Sequence, residues 1–278
     1  MNTPIYHVFV GFDTREPEAY EVCEYSLQQL NGDKVCIHKL DHRDLRRRNL
    51  FYRKWMVDED GQYWDEADGK PFSTEFAHTR FLVPEIAKQE GLQDLGWVLF
   101  CDGDFLFRKP LDELFANVNN DYAAMCVKFD FTEEEKDKKL LNRVKMDGRK
   151  QTVYHRKLWS SFVLWNINHP ANNTLSTIKV NEATGGSLHA FSWLSDEDIG
   201  EVSPDWNYIP NLSKMDQQST GAKAIHYSLG GPWFAQNTQT LCADQWKRIY
   251  KKVCLKKAHE MQGSLINSSI GDRIKRVF

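Results

Sequence analysis

Between Gly96 and Pro110 the chain reads Gly-Trp-Val-Leu-Phe-Cys-Asp-Gly-Asp-Phe-Leu-Phe-Arg-Lys-Pro, so an unbroken apolar run from Trp97 to Cys101 leads directly into Asp102-Gly103-Asp104. A short run with no polar interruption suits a strand buried on both faces of a mostly parallel sheet. In such sheets ligands bind where the strands end at their carboxyl edge. Two carboxylates are therefore expected where a ligand would lie. Residues two apart share one face of a regular strand, and Gly103 lets the backbone turn, so both carboxylates can converge on one hard cation. Asp-Gly is also a common turn dipeptide, and in isolation a plain turn is the alternative to the ligand-site reading.

The remainder of the chain bounds the class. Its 278 residues, 41% of them hydrophobic, suffice for one large α/β domain or two small ones around a sizeable core. A formal charge of −3 gives no basic field of the kind that draws nucleic acid or acidic membranes. Met1-Asn2-Thr3-Pro4 runs into a strand-like Ile5–Val10 without a basic leader and apolar core, and no later stretch has bilayer length. The expectation is a protein without a transmembrane segment, located in the cytoplasm or resting on a cytosolic membrane face. Cysteines at 23, 36, 101, 126, 242 and 254 include no Cys-x-x-Cys pair and are expected to be reduced core residues. The sequons at Asn172, Asn211 and Asn267 are then expected to stay unmodified.

Strand and helix patterns alternate. Ile5–Val10 and Val35–Leu40 read as strands, and Glu16–Leu30, with Pro17 in its first turn, reads as a helix burying Tyr20, Cys23 and Leu27. Trp55–Phe72 carries Asp-Gly twice and is expected to form a β-hairpin or an excursion over the sheet. Ser73 or Thr74 would cap a helix over Glu75–Gln89 that exposes Arg80 near its start. A short helix is expected over Leu111–Phe115 and a strand over Tyr122–Lys128. The charged stretch 132–150 reads as a solvated helix and loop, with a lid over a site as the alternative.

The second half supplies further polar groups. Trp159–Asn168 is an apolar strand entered through Ser160 and Ser161, and Asp196-Glu197-Asp198 is an acidic cluster that follows a small glycine-led helix. His226 ends a short apolar run just before Gly230-Gly231-Pro232. A lone histidine at a strand end is commonly a hydrogen-bonded structural residue, but beside two carboxylates it is also a candidate metal ligand.

In order and spacing these residues resemble the GT-A glycosyltransferases, in particular the glycogenin-like and lipopolysaccharide galactosyltransferase group, family eight. The resemblance runs from Gly11-Phe12-Asp13 through Arg80, Asp102-Gly103-Asp104, Pro110-Leu111 and Asp196-Glu197-Asp198 to His226–Trp233. It implies one α/β GT-A (Rossmann-like) domain over 1–278, with a central, mostly parallel mixed sheet flanked by helices. Residues up to about 130 would hold the nucleotide, and those from about 131 would close over it and face the acceptor. It implies that Asp102, Asp104 and His226 hold Mn²⁺, or Mg²⁺, against the diphosphate of a UDP-sugar. Gly11, Asp13, Arg80, Asp102, Gly230 and Gly231 would contact the donor, and Asp196 and Glu197 would act beside its sugar. The chain departs from the family in three places. Ser160-Ser161-Phe162 stands where members show Asn-Ala-Gly, Gly231-Pro232-Trp233 where they show Lys-Pro-Trp, and Glu197 where they show glutamine.

The implied activity is metal-dependent transfer of a sugar, with retention, to a glycan, lipid or protein acceptor. Two other classes stay open at this level. One is a phosphatase of the haloacid-dehalogenase type, which also carries Asp-x-Asp after a buried strand, although there the motif opens the domain. The other is a non-catalytic nucleotide-sugar-binding protein.

Overall fold

A computed structural model describes residues 6–130, 144–145, 149–150, 156–210, 212 and 221–274. The chain opens with β1 (Tyr6–Gly11), α1 (Pro17–Asn31) and β2 (Val35–Leu40), close to the bounds its periodicity predicts. After α2 (His42–Arg47) comes an antiparallel excursion of β3 (Trp55–Val57), β4 (Tyr63–Asp65) and β5 (Pro71–Phe72). Helix α3 (Val83–Gln89) leads into β6 (Trp97–Cys101), β7 (Phe105–Phe107), α4 (Asp112–Ala116) and β8 (Ala124–Cys126). A short antiparallel pair, β9 (Val144–Lys145) with β10 (Arg149–Lys150), precedes β11 (Phe162–Asn166). The chain continues through α5 (Thr177–Glu182), α6 (Gly185–His189), β12 (Ile199–Glu201), β13 (Ala224–His226) and the long α7 (Ala243–Ile274).

The central sheet has the order β12-β8-β11-β6-β1-β2. Only β11 runs against its neighbours there; every other pairing in that sheet is parallel. From β1 the chain turns first to β2 on one side and later to β6 on the other. The strand order therefore reverses between β1 and β6, and a crevice opens beyond their carboxyl ends. Gly11 and Asp102 lie there.

Trp97–Cys101 is uninterrupted because both of its faces are covered. Val98 and Phe100 pack with Phe9, Val163, Trp165, Phe81 and Ile86 on one side. Leu99 and Cys101 pack with Val8, Val10, Phe162 and Leu164, beneath Tyr20, Cys23 and Leu27 of α1, on the other. Each such side chain contributes about 1.5–3 kcal/mol by leaving water, so a polar residue on either face would be costly. A third apolar cluster joins Leu106 and Ile225 of the β7–β13 pair to Trp246 and Val253 of α7.

Several expectations are corrected. The continuous helix over Glu75–Gln89 is absent. Residues 79–82 form a 3-10 turn, α3 begins only at Val83, and neither Ser73 nor Thr74 caps it. Pro84 accounts for the late start, because it lacks an N–H and fits only the first turn of a helix. Arg80, expected to be exposed, is buried. Most of 132–150 lies outside the described residues, and the part that is described forms the β9–β10 strand pair instead of a helix. Of the six cysteines, all free, Cys23, Cys101 and Cys126 are buried as expected, whereas Cys36 and Cys242 are half-buried and Cys254 is exposed. The Asn172 amide is buried and donates to the carbonyls of Ala123 and Asn166 at 2.6 and 2.9 Å, so in the folded chain it is closed to modification. No helix among the described residues is long and apolar enough to cross a membrane.

Candidate functional site

Asp102, Asp104 and His226 meet at the switch point of the sheet, although more than 120 residues of chain separate Asp104 from His226. The β7–β13 pairing brings them together. Its register sets His226 opposite Phe105, the residue after Asp104, and the Tyr227 N–H donates to the Asp104 carbonyl at 3.0 Å. The imidazole Nε2 lies 3.2 Å from Asp104 Oδ1 and 3.9 Å from Asp102 Oδ2, and all three side chains are buried.

The orientation of His226 is locked from behind. Asn207 donates its amide N–H to Ser161 Oγ at 3.0 Å, which fixes its Oδ1 toward His226 Nδ1 at 2.8 Å. An amide oxygen only accepts, so Nδ1 carries the proton and Nε2 presents a bare lone pair. The ring stacks on Phe105 with centroids 4.4 Å apart. Nε2 is buried without a hydrogen-bond partner and faces two carboxylates. Buried acceptors aimed at one another are unfavourable unless a cation sits between them, and two carboxylates with one neutral imidazole are a suitable donor set for a divalent cation. Holding the far ring nitrogen by a hydrogen bond is how metal-binding histidines are ordinarily oriented.

Arg80 secures Asp102. Its Nη1 is 2.7 Å from Asp102 Oδ1 and donates to the Ser160 carbonyl at 2.9 Å. The resemblance implied a direct contact with the diphosphate or the donor sugar, and in the structure Nη1 is held by Asp102 and Ser160. Glu16, at the start of α1, adds a further buried carboxyl. Burial, then the nearby Asp104 and Asp13, push it well above the usual carboxylate range. Trp233 Nε1 donates to Glu16 Oε2 at 3.0 Å, which ties the Gly230-Gly231-Pro232 turn to α1. Gly230 has φ +102°, and a Cβ on Gly231 would lie 1.8 Å from the Trp233 ring, so this turn accepts glycine alone.

A solvent-open cleft of roughly 650 Å³ extends from Asp102 and Arg80. Its walls include Asp65, Asp68 and Lys70 of the excursion, His78, Ser160, and Gly185 and His189 of α6. Sequence reasoning passed over Asn207, His78 and His189 and took Asp68 only as part of an Asp-Gly turn. Each reaches the site only through tertiary contact. Ser160 Oγ and His189 Nδ1 are 2.7 Å apart, and Asp68 Oδ2 accepts from the Gly185 N–H at 2.9 Å. Burial, then Arg53 and Arg80, hold the His78 imidazole well below its ordinary value, so it is neutral at pH 7.

Other residues singled out from sequence are placed elsewhere or otherwise occupied. The Asp13 carboxylate accepts from Arg15 N, Nε and Nη2 and from the Glu75 N–H, at 2.6–3.1 Å. Four donors leave it anchoring the loop after β1 and give it little capacity for a nucleoside. Asp196 and Glu197 are exposed and are not brought to the cluster. The acidic run ends at Asp198, just before β12, and the register carries Ile199 through Ala124 and Trp165 to Val98 near the amino end of β6. That row is about 13 Å along the strand from Asp102, and β12 lies three strand spacings of about 4.8 Å away. Asp196 instead pairs with Arg156 at 2.6 Å.

Gly11 and Gly103 are spatial requirements. A Cβ on Gly11 would lie 2.6 Å from the Phe76 ring, and one on Gly103 would lie 2.3 Å from the Gly11 carbonyl oxygen. Backbone cannot give way as a side chain can. Gly103→Ala is therefore expected to cost about 2–4 kcal/mol and to displace both aspartates. Chemical denaturation measures the cost, and a loss under about 0.5 kcal/mol would show that the turn relaxes freely.

No protein-family model matches the chain. Among solved structures it is similar to the WbbM bifunctional glycosyltransferase (TM-score 0.54, 12% identity, covering 90% of this chain and 50% of that one). It is also similar to the glycosyltransferase GlyE of Streptococcus pneumoniae TIGR4 (TM-score 0.51, 11% identity, covering 93% of this chain and 64% of that one). The chain thus spans about half of the first and under two thirds of the second. Identities this low speak for fold alone, and the fold is that of the GT-A glycosyltransferases. Protein CDI of Arabidopsis thaliana is 40% identical over 243 residues, which make up 87% of this chain and 84% of that protein. A likeness of that depth and extent shows kinship as well as a shared fold: the chain belongs to the family of Protein CDI.

Proposed function

We propose that this protein is a glycosyltransferase that moves a sugar from a nucleotide-diphosphate sugar, a UDP-sugar, to a glycan, lipid or protein hydroxyl with retention. Asp102, Asp104 and His226 would hold a divalent cation, Mn²⁺ or Mg²⁺, and the mixed oxygen and imidazole set favours Mn²⁺. That cation would neutralise the charge appearing on UDP as the sugar–phosphate bond breaks. The observation carrying this reading is the Asn207-locked His226 lone pair facing the D-x-D carboxylates at the switch point of the sheet.

In this reading the nucleotide lies over the carboxyl ends of β1 and β6, with residues up to about 130 holding it and later segments closing over it. Arg80 pairs with Asp102 and keeps it aimed, while Ser160, His189, Asp68 and Lys70 line the cleft that would receive the sugar. The Gly230 N–H, expected to face the diphosphate, already donates to the Tyr227 carbonyl at 2.8 Å, which leaves the Gly231 N–H as the backbone group of this turn that would serve in place of a lysine. A phosphatase of the haloacid-dehalogenase type is disfavoured. Its nucleophilic aspartate must be free to attack, whereas Asp102 is ion-paired with Arg80, and its reaction gives His226 no role.

UDP and Mn²⁺ together are expected to raise the thermal midpoint by more than the sum of their separate shifts, because a cation bridging two phosphates binds best with both ligand sets present. Differential scanning fluorimetry with UDP-, GDP- and CMP-sugars measures this. Strictly additive shifts would count against the bridging cation. The anomeric configuration of the product, read by proton NMR, tests retention.

A further inference from the structure

We propose that His7, Cys36 and His38 form a second metal site at the opposite end of the sheet, taking a Zn²⁺-class cation through His7 Nδ1, Cys36 Sγ and His38 Nε2. The three ligand atoms lie within 4.8 Å of one another. In the parallel register His7 faces Cys36 and Phe9 faces His38, so alternation puts the three side chains on one face of β1 and β2. His7 Nδ1 and His38 Nε2 are 2.8 Å apart. A tetrahedral Zn²⁺ with bonds of about 2.0–2.3 Å holds its ligands roughly 3.3–3.7 Å apart, so small side-chain rotations close the set around an ion without moving backbone.

The surroundings have the form of a metal site. His38 Nδ1 lies 3.3 Å from Glu90 Oε2, and Glu90 is held in turn by Arg48 at 3.3 Å. A carboxylate facing the far nitrogen of an imidazole favours the tautomer with the proton there, which leaves Nε2 open for a metal. The His38 ring is clamped by stacking on Phe9, with centroids 4.3 Å apart. All three ligands are half-buried, so an ion can enter from solvent while the site stays sheltered. The set differs in kind from the Asp102 cluster. One sulfur and two imidazoles select a borderline or soft cation, whereas two carboxylates and one imidazole select a harder one. Gly11 is about 13 Å further along β1 from His7, so the two centres are separate.

Proton balance is simple. The Cys36 thiol gives up its proton to solvent on ligation, and the His7 ring moves its proton from Nδ1, where it now bridges to His38, to Nε2, so one proton is released per ion. The bound ion would join edge strand β2 to β1 and, through Glu90, to the end of α3.

The test uses the full chain stripped with chelator and titrated with Co²⁺ as the spectroscopic stand-in for Zn²⁺. A thiolate-to-cobalt charge-transfer band is expected, saturating at one equivalent and displaced by Zn²⁺. It should persist in Asp104→Asn and vanish in Cys36→Ser. Glu90→Gln should keep the band and weaken Zn²⁺ binding about 10–100-fold. Should Cys36→Ser fail to fold, Zn²⁺ protection of Cys36 from iodoacetamide, read by peptide mass with exposed Cys254 as the reactive control, gives the same answer. A wild-type protein without the sulfur band, a band that survives in Cys36→Ser, or a Cys36 that Zn²⁺ leaves reactive would overturn the site and leave His7–His38 as a structural hydrogen bond.

Discussion

On the proposed reading, Asp104→Asn is expected to lower sugar transfer by about 10²-fold or more while the protein stays folded, a loss of the size seen when a charge-stabilising group is removed. The substitution preserves shape and deletes one negative charge facing His226 Nε2 at 3.2 Å. Its stability signature is as informative as the rate. In chelator, Asp102 and Glu16 lose a like-charged neighbour, so the variant should unfold at the same temperature as the wild type or slightly higher. With UDP and Mn²⁺ present, the wild type should gain far more than the variant. His226→Ala should weaken Mn²⁺-dependent UDP binding and be partly rescued at high Mn²⁺, since mass action offsets a lost ligand. Radiometric transfer assays and paired melting curves decide the matter. Full activity in Asp104→Asn, or a clear drop in its melting temperature in chelator, would remove this residue from the proposed role.

Arg53→Met is expected to destabilise the protein by about 3–5 kcal/mol, the cost of leaving one partner of a buried ion pair uncompensated. For a chain of this size that corresponds to roughly a 10 °C fall in melting temperature. The Arg53 and Asp65 side chains are only 1% and 2% exposed. Arg53 donates to Asp65 and to the carbonyls of Asn181 and Ala183 at the end of α5, and Asn181 Oδ1 accepts the Tyr52 and Arg53 N–H groups at 2.7 and 2.8 Å. This cluster holds the excursion as a wall of the cleft. Asp65 already sits above the ordinary carboxylate range because its burial outweighs the pairing. Without Arg53 it rises further. A raised folded-state value in a carboxyl is a penalty absent below the unfolded value and fully present above the folded one, so the deficit should grow from about pH 5 to about pH 8. Urea denaturation at the two pH values measures it, and Arg53→Met with Asp65→Leu should recover most of the loss. A single-variant cost under about 1 kcal/mol would show that the excursion is held by other contacts.

Much of this architecture was legible in the residues. The bounds of β1, α1, β2 and β6 follow from apolar periodicity, Pro17 and the uninterrupted run at Trp97–Cys101, all of which act within one or two turns of chain. The carboxyl edge as the place for Asp102 and Asp104 follows from the same run, because a strand buried on both faces has few architectures open to it. His226 was identified through its resemblance to known transferases, and the β7–β13 pairing supplies the physical contact. Other assignments needed the folded chain. Arg80 is a cationic side chain in an apparent helix until Pro84 delays the helix and the guanidinium turns inward to Asp102. Asp13 resembles a nucleoside ligand until Arg15 and Glu75 occupy its oxygens, and Asp196 and Glu197 resemble donor contacts until β12 pairs parallel to β8 and leaves them at the amino edge. Asn207, Arg53 and the His7–Cys36–His38 group carry no local signature at all. Sequence by itself determined the opening strand-helix-strand unit, the buried β6 and which edge of the sheet carries the carboxylates, since short-range sterics and burial of alternate faces act along the chain. Tertiary structure alone decided which polar groups satisfy one another, because a buried charge takes the nearest partner in space and strand pairing brings that partner from far along the chain.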